Sequence, residues 1–151
     1  MMKNETRKVI CQNKKAHHDY FIEDTFECGI SLLGTEIKSI RLGKVSINEA
    51  YCYVEKGEMM ISGMHISKYE QGNLFNHDPD RLKKLLLHKR EIIRLQSKVM
   101  REGYTLIPLV VYLTKGRCKV ELGLAKGKKL YDKREALKEK TVNRDLSKLD
   151  H

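Results

Sequence analysis

The chain has 151 residues, 40 % hydrophobic and 33 % charged, enough for one domain with its own core and a short extension. Thirty Lys+Arg against 20 Asp+Glu give a formal net charge of +10, which points to a polyanionic partner, nucleic acid before an anionic membrane surface. No apolar run approaches the roughly 20 residues of a membrane span, the opening MMKNETRKVICQNKK has no apolar leader core, and Cys11, Cys28, Cys52 and Cys118 form no CxxC pair. The expectation is a cytoplasmic protein with reduced thiols and no metal or other cofactor.

Residues 1–12 read as a flexible N-terminal arm. HDYFIEDTFECGISLLG reads as strand, with Gly29 marking a bulge or a close backbone approach. In TEIKSIRLGK, Ile37 and Ile40 share one face of a short helix, Lys38 and Arg41 share another, and Gly43 suits its C-terminal cap. YCYVEKGEMMISGMHI reads as a hairpin about Lys56-Gly57, its second strand running to Ile66. SKYEQGNLFNHDPD is a polar loop.

RLKKLLLHKREIIRLQSKVMREG is the most basic ordered segment, with Lys/Arg at 81, 83, 84, 89, 90, 94, 98 and 101 and a single acid, Glu91, in that span. Leu85/Leu86, Ile92/Ile93 and Val99/Met100 recur as an apolar helical stripe. The helix is clearest from Lys89 to Gly103; residues 82–88 fit either its first turns or a short buried strand. TLIPLVVYL is apolar on both faces, as in a central strand, with Pro108 calling for an edge or bulge. After a turn at Thr114–Arg117, Cys118, Val120, Leu122 and Leu124 alternate with Lys119, Glu121 and Gly123, a half-buried strand. The fold class is mainly β with flanking α-helices: a small antiparallel barrel of the oligonucleotide-binding (OB) type over residues 13–125, with a flexible C-terminal tail over 126–151.

Several groups of side chains bear on function. The basic segment, with Lys84, Lys89 and Arg90, is either a solvated face or a phosphate-contacting one; its near-absence of acids favours the latter, since bases alone repel one another. Lys38, Arg41 and Lys44 form a second patch, which Asn13, Lys14 and Lys15 would extend if the barrel brings them together. His88 and His65 could stack on bases, while the histidine spacings match no metal motif. Glu23, Asp24 and Glu27 offer acids that could read amino groups on bases. No nucleophile–base–orienter set is visible, so an enzyme is not expected. The tail carries an excess of bases, a hinge at Gly127 and a thin apolar stripe, which suits a segment disordered when free and helical along RNA.

NKKA, GTEIKSIRLGK, HIS, RLKKLLLHKREI, GYTLIPL and KVELGLAKGKKLYDKRE, in this order from about Asn13 to Glu139, resemble the small protein B family, the tmRNA-binding partners of bacterial trans-translation. The resemblance implies an OB-type barrel that binds the tRNA-like domain of tmRNA and enters the A site of stalled ribosomes, standing where an anticodon arm would be. Its tail would lie in the empty mRNA channel against ribosomal RNA near the decoding centre. It implies RNA contacts at Glu27, Lys38, Ser39, Arg41, Leu86 and His88. It also implies ribosome contacts in the tail at Lys126, Gly127, Lys128, Lys129, Tyr131, Asp132, Lys133 and Arg134. Residues 140–151 follow no family pattern.

The tRNA-mimicking adapter, monomeric when free, therefore stands against a general OB-type binder of single strands. With 7 Tyr, 3 Phe and no Trp, the chain is sparse in stacking platforms, which counts against the second reading.

Overall fold

The computed structural model describes residues 7–71 and 76–128. In chain order the elements are β1 (Arg7–Gln12), α1 (Ala16–Asp19), β2 (Tyr20–Ser31), α2 (Gly34–Arg41), β3 (Val45–Ser46), β4 (Tyr51–Glu55), β5 (Glu58–Ser62), β6 (His65–Ile66), β7 (Lys83–Leu86), α3 (Lys89–Glu102), β8 (Thr105–Thr114) and β9 (Arg117–Gly127). Seven strands form one antiparallel sheet in the order β1-β8-β4-β5-β7-β2-β9, and an added β8–β9 pairing closes it into a barrel with β1 outside the ring. β3 and β6 make a small separate ladder. The architecture is the mainly β barrel with flanking helices expected from the sequence.

Local chemistry sets the strand connections. Lys56-Gly57 and Lys115-Gly116 both take positive φ at each residue, the type I′ geometry whose twist matches a two-residue hairpin. Register shifts occur between Pro108 and Val110 on β8, and between Ile22 and Asp24 on β2. The first is the bulge that Pro108 demands, since it has no N–H for the ladder. Gly29 is a point of close approach: a Cβ there would lie 3.3 Å from Leu86 Cβ on the paired strand. Gly43, with φ +78, follows the C-cap of α2 and donates its amide to Ile40 O at 2.8 Å. Gly63 is more constrained. Its φ is +83, and any Cβ would come within 2.6 Å of Glu49 O, so the turn between β5 and β6 accepts glycine alone.

The barrel interior is filled by Cys28, Ile30, Cys52, Met59, Ile61, Leu85, Leu106, Val111, Val120 and Leu122, with Ile92 and Leu95 of α3 also in this cluster.

 Both Ile92 and Leu95 are buried on the barrel side of their helix. A second cluster of Ala16, Ile107, Leu109 and Ala125 lies under α1, so β8 is buried on both faces, as its continuous apolar run predicts.

Three expectations need correction, and the choice left open over residues 82–88 is settled. Residues Arg7–Gln12, read as part of a flexible arm, form β1 and pair with β8 from Arg7↔Thr114 to Gln12↔Val110; alternating Val9 and Cys11 supply apolar strand residues that a basic, polar context obscured. Residues 1–6 lie outside the described residues. The run 83–86 is a strand between β5 and β2, not the start of the helix, because Leu85 fills the barrel while Leu86 points out. The apolar stripe is therefore broken, and Ile93 and Met100 are 57 % and 76 % exposed. The second hairpin strand stops at Ser62, and His65–Ile66 pairs with Val45–Ser46 instead. Finally, β9 continues through Lys126 and Gly127, which pair with Phe21 and Tyr20; the barrel extends past residue 125 and Gly127 ends a strand.

Candidate nucleic-acid interface

The short helix α2 is mounted on the barrel through an ion pair whose carboxylate is buried. Glu36, fully buried, accepts the Leu33 amide at 2.7 Å and two Arg81 contacts, from Nε at 2.9 Å and Nη2 at 2.7 Å. The fully buried Lys83 donates its Nζ to Met64 O at 2.9 Å and Arg81 O at 2.7 Å. Burial pushes the Glu36 carboxyl up, but the Arg81 hydrogen bonds, the Leu33 amide and the nearby cations outweigh it and hold it below the usual carboxylate range. Burial lowers Lys83, with Glu36 opposing. His77 completes the mount, its ring lying 2.8 Å from both Thr35 Oγ1 and Ile66 O. Arg81 and Lys83, two of the eight bases in the sequence run, are thus committed to the fold.

On this mount α2 presents Lys38 and Arg41, and the turn after it Lys44, all exposed. Lys38 Nζ lies 5.6 Å from the Tyr69 ring and Lys44 Nζ 4.0 Å from Glu70 Oε2, contacts that solvent and salt weaken. Ser39 faces inward, fully buried, and its hydroxyl has no partner among the described residues. The expected RNA contact at Ser39 is corrected: the i,i+1 neighbour of an exposed helical lysine turns away from the surface. Asn13 is likewise 7 % exposed, with Nδ2 donating to Pro108 O at 3.3 Å and its amide to Leu109 O at 2.8 Å. It pins the β8 bulge and offers no free surface. Lys15 is exposed and reaches Glu49 at 3.8 Å. β1 packs on β3, the strand after α2, so the NKK segment and α2 flank the same short strand.

A second region spans the outer faces of β1, β8, β9, β2 and β7. Tyr112 donates its hydroxyl to Glu27; burial and this bond raise the Tyr112 hydroxyl above its ordinary range. Arg7 stacks on Tyr112 at 3.9 Å and pairs with Glu121 at 2.9 Å, which offsets the Glu27↔Glu121 cross-strand repulsion. Along β2, Gly29 lies between Leu86 of β7 and Lys119 of β9. Here a groove of about 400 Å³ is walled by Leu32, Ile37 and the 49 % exposed Leu86, with Arg117 and Lys119 at its side. Glu27 and Leu86, singled out by the resemblance, thus share one surface. Arg7, Arg117 and Lys119 were missed; alternation put Lys119 on the outer face, but no motif marked it.

At the start of α3, His88, Lys89 and Arg90 are exposed. The His88 amide donates to Glu91 Oε1 at 3.3 Å, capping the helix. Cations in a first helical turn oppose the macrodipole, so Lys89 and Arg90 do not serve helix stability there. Lys84 pairs with Glu58 at 3.1 Å on the surface, and Lys98 with Glu102 at 3.6 Å.

At the end of β9, Lys126 Nζ lies 4.6 Å from the Tyr104 ring, and Lys128 Nζ 5.1 Å from the Phe21 ring. Lys128 also donates to His17 O at 2.8 Å. Tyr104 donates to Glu23, which, with burial, pushes the tyrosine up to about 12. Lys129, Tyr131, Asp132, Lys133 and Arg134 lie outside the described residues. Among the described residues no group of three or more His, Cys, Asp or Glu side chains could hold a metal, and no helix is long and apolar enough to cross a membrane.

Known proteins sharpen this picture. The sequence profile described as "SmpB protein" matches residues 10–150. An SsrA-binding protein of Geobacillus kaustophilus (strain HTA426) is 58 % identical over 141 residues, covering 93 % of this chain and 91 % of the relative. One from Staphylococcus aureus (strain Newman) is 55 % identical over 148 residues, covering 98 % and 96 %. A solved structure described as "tmRNA-SmpB: a journey to the center of the bacterial ribosome" superposes with a TM-score of 0.68 at 47 % identity, covering 90 % of this chain and 96 % of the other. Identity at this level along nearly the whole chain makes the resemblance a membership: the chain belongs to the SmpB protein family.

Proposed function

We propose that this chain is an RNA-binding adapter of trans-translation that binds the tRNA-like domain of tmRNA and carries it to the A site of stalled ribosomes. The observation that carries the reading is the array of exposed cations, Lys38 and Arg41 in the last turn of α2, Lys44 just beyond it, and Lys89 and Arg90 opening α3, the last two placed where the helix macrodipole opposes them. The relatives named SsrA-binding proteins and the structure described with tmRNA and the ribosome support it. RNA phosphates would face these cations, while Glu27 and Leu86 meet the RNA beside the Gly29 groove. The body stands in for an anticodon arm, and residues from Lys129 onward read the vacant mRNA channel. No bond is made or broken; the protein works in the cytoplasm, without a cofactor, as a monomer when free.

The test is a salt-titrated binding assay with the tRNA-like domain of tmRNA, a plain hairpin of equal length and a single strand. A preference of roughly 100-fold for the tRNA-like domain, about 2.7 kcal/mol, persisting at raised salt, supports the reading. Equal affinities that collapse together with salt would leave a general basic RNA binder. Truncation after Lys128, which spares β9, should keep this binding and abolish peptide tagging.

A further inference from the structure

Two lysines at the end of β9 are held by aromatic rings of the body, not left to solvent. Lys126 Nζ lies 4.6 Å from the Tyr104 ring and Lys128 Nζ 5.1 Å from the Phe21 ring. Tyr104 is fixed by its bond to Glu23, and Lys98 approaches the same ring at 5.7 Å. Phe21 stays 44 % exposed on β2, directly across the ladder from Lys126. Lys128 is further tied to the His17 carbonyl at 2.8 Å. Together these contacts hold the chain on both sides of Gly127, which a hinge would leave mobile. Cations already occupy positions over both rings, so the pocket formed by Phe21, Glu23, Tyr104 and Lys126 is arranged to hold the chain's own lysines, not to stack a base.

We infer that Phe21 and Tyr104, with Glu23, are positioning residues that clamp Lys126 and Lys128 and so fix the direction in which the tail leaves the barrel. The inference deepens the adapter reading and rests on it for its functional consequence. A tail that must find a channel from a body docked elsewhere gains from a set exit direction, because fewer orientations are lost when it enters.

The test uses the full chain and its Phe21→Ala, Phe21→Tyr and Glu23→Gln variants. Amide exchange at Gly127 and Lys128 in the free protein should quicken in Phe21→Ala and return toward wild type in Phe21→Tyr. Affinity for the tRNA-like domain should stay within about twofold, while tagging on stalled ribosomes falls roughly three- to tenfold, the scale expected of lost cation–π restraint. Glu23→Gln should show a smaller loss of the same kind. Unchanged exchange in Phe21→Ala would overturn the clamp. A parallel fall in RNA affinity would overturn it as well, by making Phe21 an RNA contact. A wild-type chain that neither binds the tRNA-like domain nor supports tagging would sink the adapter reading, while the exchange data still judge the clamp.

Discussion

Arg81 and Lys83 belong to the same basic run as Lys89 and Arg90, yet the two pairs are used in opposite ways. The first is folded inward: Arg81 grips the buried Glu36 and Lys83 spends its ammonium on two backbone carbonyls. The second is left at the exposed, electrostatically unfavourable start of a helix. A count of bases treats them alike. The difference shows that positive charge in this chain has two jobs, fastening α2 and its loop to the barrel and presenting charge to a partner, and that burial separates them.

The contrast breaks most sharply at Glu36. Glu36→Ala leaves Arg81 and Lys83 without their counter-ion and should cost about 3–5 kcal/mol, read as a lower urea midpoint. Because the Glu36 carboxyl lies below its usual range when folded, its contribution is present at neutral pH and lost as pH falls through that depressed value. Acid should therefore destabilise wild type more than Glu36→Gln. An Ala variant within about 0.5 kcal/mol of wild type, the range of ordinary surface changes, would mean the inward cations are not a fastening.

Burial extends the contrast to the thiols. Burial pushes Cys28 and Cys118 up to about 12 and Cys11 to about 11. Groups raised in this way stabilise the fold below their unfolded pKa and lose that contribution as pH rises toward the folded value. Stability should fall by several kcal/mol between pH 8 and pH 10, against an opposing gain from Lys83, whose lowered pKa favours the folded state as it deprotonates. Urea titration across that range checks the sign; a rise in stability would mean Lys83 dominates.

On the exposed side, Lys38→Ala, Arg41→Ala and Lys44→Ala together should leave stability within about 0.5 kcal/mol but weaken binding to the tRNA-like domain. The slope of log affinity against log salt should drop by about 2 to 3 if each cation meets one phosphate. An unchanged slope would remove α2 from the interface. The smallest effect belongs to Ser39→Ala: removing a buried hydroxyl without a partner among the described residues should change stability by less than about 1 kcal/mol and leave RNA affinity alone. A clear loss of affinity would restore Ser39 as a contact.

Local chemistry was readable where it is self-contained. Lys56-Gly57 and the Thr114–Arg117 segment marked hairpins, Pro108 marked a bulge, Gly43 marked a helix end, and alternation from Cys118 to Leu124 gave the buried face of β9. What could not be read depends on closure of the barrel. Nothing local distinguishes the buried Lys83 from the surface Lys84, since a strand turns neighbours to opposite faces and only the paired strands decide which is inside. Asn13 was placed at the interface because its neighbours are basic and Ser39 by family resemblance, although tertiary packing claims both. Glu27 and Leu86 came from family resemblance; the β2–β7 and β2–β9 registers put them on one surface and added Lys119.

The strand that carries the tail also bears mechanical load. From Arg117 to Ala125, β9 is held by β8, and from Lys119 to Gly127 by β2, both antiparallel. A pull along the axis of β9 would load the hydrogen bonds of both ladders together instead of unzipping one at a time. Traction on the tail should thus be transmitted to the whole barrel before any strand peels away, and the two ends of the molecule can move as one body under force.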